Sequence, residues 1–242
     1  MHYKNKKILI IGGTSGLGKS ITKEFISKKF DVYVIARNKS KNSLFKKVRF
    51  YECDVSKNDD LNNLIKIFKK QKLNFSHVIH NVGGSQKIYD YDASSIDYEK
   101  VWRSNFGYVV DINNFVFKNM IKKKWGRIIH VSSSAAYNYH APTAYSSAKN
   151  ALNTYVKSVA RKVIKHKIVV SAICPGPIKL QGRYMTKSQK ENNKFWREYS
   201  ARHLPINRMA NPKEIIGVIS FLCSDLASYC SGAIWNIDGS EY

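Results

Sequence analysis

The segment AYSSAKNAL, residues 144–152, places a phenol and an ammonium group four positions apart, at Tyr145 and Lys149. Four positions are about one helical turn, so in a helix both side chains project from the same face. A phenol has a pKa of about 10 in water, and a neighbouring cation favours its ionised form. The pair is therefore a candidate for exchanging a proton with a substrate oxygen near neutral pH. A solvated helix face is the alternative interpretation, and the surrounding elements must separate the two.

A glycine-rich turn, IIGGTSGLGKS, lies near the start of the chain. It follows an apolar run that predicts a strand, and it opens a stretch of helical period. Glycine allows the backbone to turn sharply and to approach a ligand closely, while a helix N-terminus attracts anions. This order of features is typical of a dinucleotide pyrophosphate site. We predict cofactor contacts from Gly12, Thr14, Ser15, Gly16, Leu17 and Gly18.

The tip of the second predicted strand indicates which dinucleotide binds. An acidic residue there normally pairs with an unphosphorylated ribose. This chain has Ala36 at that position, followed by Arg37. Because a guanidinium can hold a phosphate through two parallel hydrogen bonds, we predict NADP(H) in preference to NAD, with Arg37 at the 2′-phosphate. An ordinary surface cation is the alternative for Arg37. Asp54, after the third strand, is expected to accept a hydrogen bond from the adenine amino group.

Short apolar runs alternate with stretches of helical period along the whole chain. Strands that are apolar at nearly every position belong in a parallel sheet covered on both faces. The alternation predicts an α/β fold, a Rossmann-type doubly wound parallel sheet of about seven strands with helices on both faces, in a single domain over 1–242. Strands are predicted at 7–12, 31–36, 48–54, 77–81, 127–133, 167–173 and 233–238, and helices at about 17–28, 59–70, 105–123, 145–165 and 212–224.

The order of these motifs resembles the short-chain dehydrogenase/reductase family, in its single-domain branch and among members similar to 3-oxoacyl-carrier-protein reductases. The resemblance runs nearly end to end. It implies an enzyme that interconverts a carbonyl and a secondary alcohol by hydride transfer with a nicotinamide cofactor. A non-catalytic NADP-binding sensor or scaffold is the alternative. The motifs are GGTSGLG, CDV, HNVGG, SNF, IIHVSS, YSSAK, CPGPI and a C-terminal stretch that begins RMANPKE.

The resemblance also implies a role for each matching residue. Tyr145 becomes the general acid in reduction and the base in oxidation, and Lys149 lowers its pKa and binds the nicotinamide ribose. Ser133 holds the substrate carbonyl, with Ser132 as the alternative and Ser134 lining the pocket. Asn105 positions a water that passes protons to Lys149. Further cofactor contacts are implied for Val55, Asn81, Gly83, Pro175, Gly176 and Ile178.

Some positions depart from the family pattern. Gly83 replaces the usual alanine, which we expect to loosen that segment. Ser15 stands where many NADP-using members have a basic residue. His130 and His140 are expected in core packing and at the substrate rim, respectively, and no metal-binding constellation is seen. Four cysteines without a paired spacing predict buried, reduced thiols.

The formal net charge of +24 is unusually basic. Because the cations are spread along the sequence, without a stripe of interleaved aromatics, we expect no nucleic-acid partner. No apolar run is long enough for a membrane span, and the one near the N-terminus is too short for a signal peptide, so we expect no membrane partner and a cytoplasmic protein.

A substrate lid is expected at about 178–205. Between 179 and 203 it has seven Lys and Arg against two Glu, which favours an anionic substrate such as an acyl-carrier thioester or a nucleotide-linked or acidic sugar. The resemblance further implies a homo-oligomer, a tetramer or a dimer, formed through the 105–123 and 145–165 helices and the last strand.

Overall fold

The computed structural model describes residues 1–39, 43–138, 140–180 and 193–241. Its centre is a seven-stranded sheet in which every neighbouring pair of strands is parallel. The prediction of a doubly wound α/β sheet is therefore confirmed. In chain order the strands are β1 (Lys7–Ile11), β2 (Asp31–Ala36), β3 (Arg49–Glu52), β4 (His77–His80), β5 (Gly126–Val131), β6 (Ile168–Pro175) and β7 (Ile234–Ile237).

Helices connect the strands. Five of them match the predicted periodic stretches to within three residues. Two helices, α3 and α6, were not predicted. In α3 only Val101 is buried, so the helix carries no apolar stripe that a periodicity search could find. The helices are α1 (Gly16–Ser27), α2 (Asn58–Lys70), α3 (Ser95–Trp102), α4 (Tyr108–Lys123), α5 (Thr143–Val163), α6 (Asn193–His203) and α7 (Pro212–Cys223).

Two apolar cores cover the two faces of the sheet. Helices α2, α4 and α5 pack on one face, where Phe68, Ile112 and Val156 are buried against the strands. Helices α1 and α7 pack on the other, through residues such as Phe25 and Ile219. Because both faces of the sheet are covered, every residue of β4 and β6 is buried, including the polar residues His77, His80 and Ser171.

The strand order β3-β2-β1-β4-β5-β6-β7 reverses direction between β1 and β4. In open α/β sheets ligands bind outside the carboxyl ends of the strands at such a reversal. All neighbouring strands are parallel, so the strands all end at one edge of the sheet, and α2, α4 and α5, which lead into β4, β5 and β6, end at the opposite edge. The lid predicted at 178–205 lies partly outside the described residues, which stop at 180 and resume at 193.

Two smaller observations concern predicted properties. Cys53, Cys174 and Cys223 are buried, whereas Cys230 is only half-buried, and all four are free thiols. Among the helices that the structure describes, none has the length and apolarity to cross a membrane.

Candidate active site

Helix α5 holds the phenol and the ammonium group. It begins at Thr143, directly after Pro142, so Tyr145 lies in its first turn and Lys149 one turn later. The Lys149 side chain is buried, its residue being 2% exposed. Its Nζ donates a hydrogen bond to the carbonyl oxygen of Val131, at 3.0 Å, and lies 5.6 Å from the centre of the Tyr145 ring. The two groups are therefore adjacent, and the interpretation as a solvated face is wrong.

Burial shifts the pKa of both groups. Removing the ammonium from water lowers the pKa of Lys149 to about 8. Burial raises the pKa of Tyr145, and a hydrogen bond with the Ser133 side chain acts in the opposite direction. The pKa of Tyr145 is therefore raised rather than lowered as expected, because the burial of the phenol outweighs the hydrogen bond with Ser133.

Ser133 is the serine that meets Tyr145. Strand β5 ends at Val131, two residues earlier than predicted, so the three serines lie in the turn that follows. The Ser133 Oγ accepts a hydrogen bond from the amide of Ala135 at 3.2 Å and also bonds Tyr145. The Ser132 Oγ instead points to the Lys149 carbonyl, at 3.4 Å, and Ser134 binds Asn138. The geometry therefore distinguishes Ser133 from its neighbours.

Asn105 lies in a single π-helical turn, Arg103–Gly107, that joins α3 to α4. Such turns widen a helix and often occur at functional sites. The buried Asn105 side chain holds both backbone groups of Gly84, its Oδ1 accepting from the amide at 2.9 Å and its Nδ2 donating to the carbonyl at 2.8 Å. It also donates to the Val101 carbonyl. In this arrangement Asn105 positions the loop after β4.

Gly83 lies against Asn105 and Lys149. A Cβ added at Gly83 would lie 2.6 Å from the Asn105 Oδ1 and 2.9 Å from the Lys149 Nζ. The missing side chain leaves a space that the Asn105 amide and the Lys149 ammonium both border.

The glycine turn is built as predicted. Gly12 and Gly16 have φ values of 80° and 51°, in the left-handed region that favours glycine. A Cβ at Gly18 would lie 2.0 Å from the Gly12 carbonyl oxygen, so the start of α1 packs against the turn. Asn81, after β4, donates its Nδ2 to the same oxygen at 3.3 Å.

Thr22, on α1, contacts this turn and was not predicted from the sequence. Its buried hydroxyl donates to the Gly13 carbonyl at 2.8 Å. A threonine at the i+9 position carries no local signal, so only the fold could reveal it.

The predicted adenosine contacts lie on the β2–β3 side of the turn. Arg37 directly follows β2, and its side chain is exposed. Asp54 follows β3, where its Oδ1 accepts from the amide and hydroxyl of Ser56 at 3.1 and 2.6 Å. Val55 is buried beside it. At the N-terminus of α1, Thr14 is half-buried, Ser15 is exposed and makes no side-chain cap, and Leu17 is buried.

The turn after β6 forms the other wall of the crevice. Pro175 ends the strand, and a Cβ at Gly176 would lie 3.0 Å from the Asp238 backbone. Ile178 is buried and pairs with Ala210. Cys174, buried at the end of β6, influences the pKa of both Tyr145 and Lys149.

Several other side chains near the rim of the crevice form contacts that were not predicted from the sequence. The Tyr137 hydroxyl bonds the Asn236 side chain, and the Tyr199 hydroxyl on α6 bonds Glu241. His140 packs against His203, with ring centres 4.4 Å apart. His130, by contrast, is fully buried and stacks on His80 at 4.6 Å, as core packing requires.

The Tyr145–Lys149 pair and the glycine turn belong to one connected structure. Lys149 contacts the Gly83 position, Gly83 follows two residues after Asn81, and Asn81 binds Gly12. A ligand seated on the glycine turn would therefore extend toward Tyr145. Chemically, the site combines an anion-binding helix N-terminus with a phenol, a serine hydroxyl and a buried ammonium.

Comparison with known proteins places this geometry in a family. A family model described as enoyl-(acyl carrier protein) reductase matches residues 12–239. The chain belongs to the short-chain dehydrogenase/reductase family. The predicted enzyme class, an NAD(P)-dependent short-chain dehydrogenase/reductase, is thereby confirmed.

Curated relatives align over almost their whole length. The 3-oxoacyl-(acyl-carrier-protein) reductase of Chlamydia trachomatis is 28% identical over 246 residues, covering 97% of this chain and 96% of the relative. The enzyme of the same description from Aquifex aeolicus is 24% identical over 249 residues, covering 99% and 98%.

Solved structures share the fold. The L-sorbose reductase from Gluconobacter frateurii, complexed with NADPH and L-sorbose, superposes with a TM-score of 0.89 at 24% identity, covering 100% of this chain and 98% of that one. A 3-oxoacyl (acyl-carrier-protein) reductase from Agrobacterium tumefaciens, with NADP bound, gives 0.88 at 18% identity, covering 99% and 95%.

Proposed function

We propose that this enzyme interconverts a carbonyl and a secondary alcohol with NADP(H), and that Tyr145 exchanges the proton. The observation that carries the proposal is the meeting of the Tyr145 phenol, the Ser133 hydroxyl and the buried Lys149 ammonium beside the loop that holds the glycine turn. Hydride transfer to a carbonyl carbon leaves an oxyanion that must be protonated. A positioned phenol supplies that proton, and a serine hydroxyl polarises the carbonyl.

The cofactor supplies the hydride, and this chain's residues hold it. The Gly12 and Gly16 conformations open the turn, and the free amides at the N-terminus of α1 suit a pyrophosphate. Arg37 makes no hydrogen bond or ion pair within the described parts of the chain and would bind a 2′-phosphate. The structures of two similar folds that contain NADPH or NADP support the same choice.

Lys149 has two tasks in the proposal. Burial lowers its pKa to about 8, so near neutral pH the ammonium is charged but holds its proton less tightly than a lysine in water. That ammonium would bind the nicotinamide ribose and stabilise the phenolate that Tyr145 becomes on giving up its proton. Asn105 would keep the Gly83–Gly84 segment in place, and through it the position of Lys149.

The substrate is proposed to be a 3-oxoacyl thioester or another anionic carbonyl compound. The curated relatives are 3-oxoacyl reductases, and the basic lid segment favours a negative charge. Reduction of the carbonyl, rather than of a carbon–carbon double bond, is favoured because the Ser133 and Tyr145 hydroxyls are hydrogen-bonded to each other and could both bind one carbonyl oxygen.

Assembly and location follow from the same proposal. We expect a homo-oligomer, a tetramer or a dimer, built through α4, α5 and β7, and an enzyme of the cytoplasm. Analytical ultracentrifugation of the purified protein would measure the first, and cell fractionation the second.

The test is turnover of NADPH with a substrate panel. The panel contains a 3-oxoacyl thioester, a 2-enoyl thioester, a neutral ketose and a neutral aliphatic ketone. We expect reduction of the 3-oxoacyl thioester, and a loss of on the order of a thousandfold in Tyr145→Phe while NADPH affinity is retained. Tyr155→Phe is the matched control, because Tyr155 lies on the same helix as Tyr145. Its hydroxyl accepts a hydrogen bond from Asn113 on α4, and the variant should keep its turnover.

Three results would overturn parts of the proposal. An active Tyr145→Phe variant would remove the phenol from the mechanism. Oxidation of NADPH by the enoyl thioester alone would make the enzyme an enoyl reductase, and turnover of only the neutral ketones would exclude an anionic substrate. NADPH binding without turnover of any compound would favour the sensor or scaffold.

A further inference from the structure

The edge of the sheet opposite the active site brings three helix ends together. Strands β4, β5 and β6 are neighbours, and their first residues are aligned, since His77 pairs with Arg127 and Gly126 with Ile168. Neighbouring strands lie about 4.8 Å apart. Helices α2, α4 and α5 end just before these strands, so their last turns lie side by side. A hydrogen bond of 2.5 Å from the Lys123 Nζ to the Asn74 Oδ1 joins the end of α4 to the loop after α2.

These three ends and their loops carry thirteen exposed cations, which we call the basic edge. None of the thirteen forms an ion pair with a carboxylate in the described parts of the chain. Their sequence neighbours offer none, because no Asp or Glu occurs between Asp60 and Asp90 or between Asp111 and Glu191. The cations are Lys66, Lys69, Lys70, Lys72, Lys118, Lys122, Lys123, Lys124, Lys157, Arg161, Lys162, Lys165 and Lys167.

The helix dipoles stabilise only some of these cations. A cation in the last turn of a helix is stabilised by the partial negative charge there, but the effect is confined to that turn and is worth about 0.3–1 kcal/mol. Four or five cations at each end repel one another, and no carboxylate of the described residues forms an ion pair with any of them. Such a single-sign surface attracts a polyanion.

Exposed isoleucines distinguish between kinds of polyanion. Each helix end presents one: Ile67 on α2, Ile121 on α4 and Ile164 after α5, with exposed fractions of 44%, 37% and 39%. The aromatic residues of the same segments, Phe68 and Trp125, are buried. Proteins that bind single-stranded nucleic acid stack bases on exposed aromatic rings. Lysines interspersed with exposed aliphatic side chains are instead typical of surfaces that lie on anionic lipid.

We propose that the basic edge docks this enzyme on an anionic phospholipid surface. The lysines would lie at the headgroup phosphates, and the three isoleucines would enter the boundary with the acyl chains. Because the active site lies at the opposite edge, it would face away from the lipid and stay open to substrate. This proposal goes beyond the oxidoreductase function and does not depend on it.

Vesicle flotation tests the proposal on the full chain. The vesicles contain either phosphatidylcholine alone or equal parts of phosphatidylcholine and phosphatidylglycerol. We expect binding to the anionic vesicles only, weakening as salt is added. The variant Lys122→Gln/Lys123→Gln/Lys162→Gln/Lys165→Gln should lower vesicle partitioning by on the order of a hundredfold. Ile121→Ser/Ile164→Ser should lower it by a smaller factor.

A second quadruple variant controls for net charge. Lys23→Gln/Lys46→Gln/Lys47→Gln/Lys213→Gln changes the same four units at exposed positions outside the basic edge and should keep vesicle binding. Equal losses in both variants would mean that overall charge, and not this surface, binds lipid. Absence of binding to the anionic vesicles would overturn the proposal. Tighter binding of an RNA homopolymer, lost in the first variant only, would reassign the basic edge to nucleic acid.

Folding and assembly are checked in the same samples. Circular dichroism melts and size-exclusion chromatography should agree between the two quadruple variants and the parent protein. Retained NADPH turnover in the first variant would show that the two edges act independently.

Discussion

The two edges of the sheet differ in whether their positively charged side chains are buried or exposed. At the C-terminal edge a single ammonium, Lys149, is buried under Gly83 and directed to Val131. At the N-terminal edge thirteen cations extend into water, and none of them is enclosed. Burial changes the chemistry of the first group by lowering its pKa to about 8. The exposed cations act through their number instead. Under the two proposals, the same residue type would serve proton transfer at one edge and long-range attraction at the other.

The parallel topology creates this contrast. Every strand ends at the C-terminal edge, so the turns after strands meet there and can build a site from distant parts of the chain. The last turns of α2, α4 and α5 meet at the other edge. Cations that are spread along the sequence are thereby gathered on one surface, which a search along the linear sequence does not detect.

Removing the buried cation should have the largest effect. We expect Lys149→Met to lower turnover by on the order of a thousandfold, since it removes the charge that stabilises the Tyr145 phenolate. The free energy of unfolding should not fall, because a desolvated ammonium is replaced by an apolar side chain. Lys162→Met makes the same change at the basic edge and should leave turnover unaltered. Steady-state kinetics measure turnover, and urea unfolding measures the free energy of unfolding. Equal losses of turnover in Lys149→Met and Lys162→Met would contradict the difference between the two edges.

Adding a methyl group tests how closely the C-terminal edge is packed. In Gly18→Ala the new Cβ would lie 2.0 Å from the Gly12 carbonyl oxygen, a backbone atom that cannot move away freely. We expect a loss of about 3 kcal/mol in the free energy of unfolding and weak NADPH binding. Gly217→Ala is the control, since no atom lies within 4 Å of its added Cβ. If both variants unfold at the same urea concentration, the turn is looser than described.

The two ends of β4 predict how stability depends on pH. Burial lowers the pKa of His77, at the basic-edge end, to about 3, and that of His80, at the other end, to about 4. An unfolded histidine has a pKa of about 6.5, so below that pH the unfolded chain binds more protons than the folded chain. Stability should therefore fall as the pH drops from 6.5 toward 4, by about 1.4 kcal/mol per pH unit for each histidine.

Urea unfolding at a series of pH values measures this slope. Replacing either histidine, as His77→Gln or His80→Gln, should reduce the proton uptake on unfolding by about one in that range. A slope that neither variant changes would mean that other groups govern acid stability.

The smallest expected effect comes from Gly83→Ala. The added methyl would meet the Lys149 Nζ at 2.9 Å, and this flexible side-chain end can shift at moderate cost. We expect roughly a tenfold loss of turnover and a displaced pH–rate profile, with little change in NADPH affinity. An unaltered pH profile would indicate that Gly83 does not set the Lys149 position.

Much of this architecture could be predicted from the sequence. Apolar runs indicate the seven strands, and the spacing of its glycines indicates the glycine turn. A separation of one helical turn indicates the Tyr145–Lys149 pair. The resemblance to a known family indicated Ser133, and the geometry then distinguished it from its neighbours. Helix α3 lacks an apolar stripe, so the periodicity of the sequence does not predict it.

The remaining features depend on contacts between distant segments. The hydrogen bond from Thr22 to Gly13, the closeness of Gly83 to Asn105 and the direction of the Lys149 side chain arise only after the chain has folded. The pKa of Tyr145 illustrates the limit most clearly. The spacing of Tyr145 and Lys149 predicted a lowered pKa, but the burial of the phenol, which no local pattern reports, raises it.

The position of β1 in the sheet has a consequence for synthesis on the ribosome. Its partners on either side are β2 and β4, so its second flank is covered only after residue 80 has left the exit tunnel. Until then a strand that is apolar from Ile8 to Ile11 has one open hydrogen-bonding side, which is a site for aggregation. Slow translation between β2 and β4 would prolong that exposure, and a chaperone that shields the nascent chain there would have its greatest effect on yield.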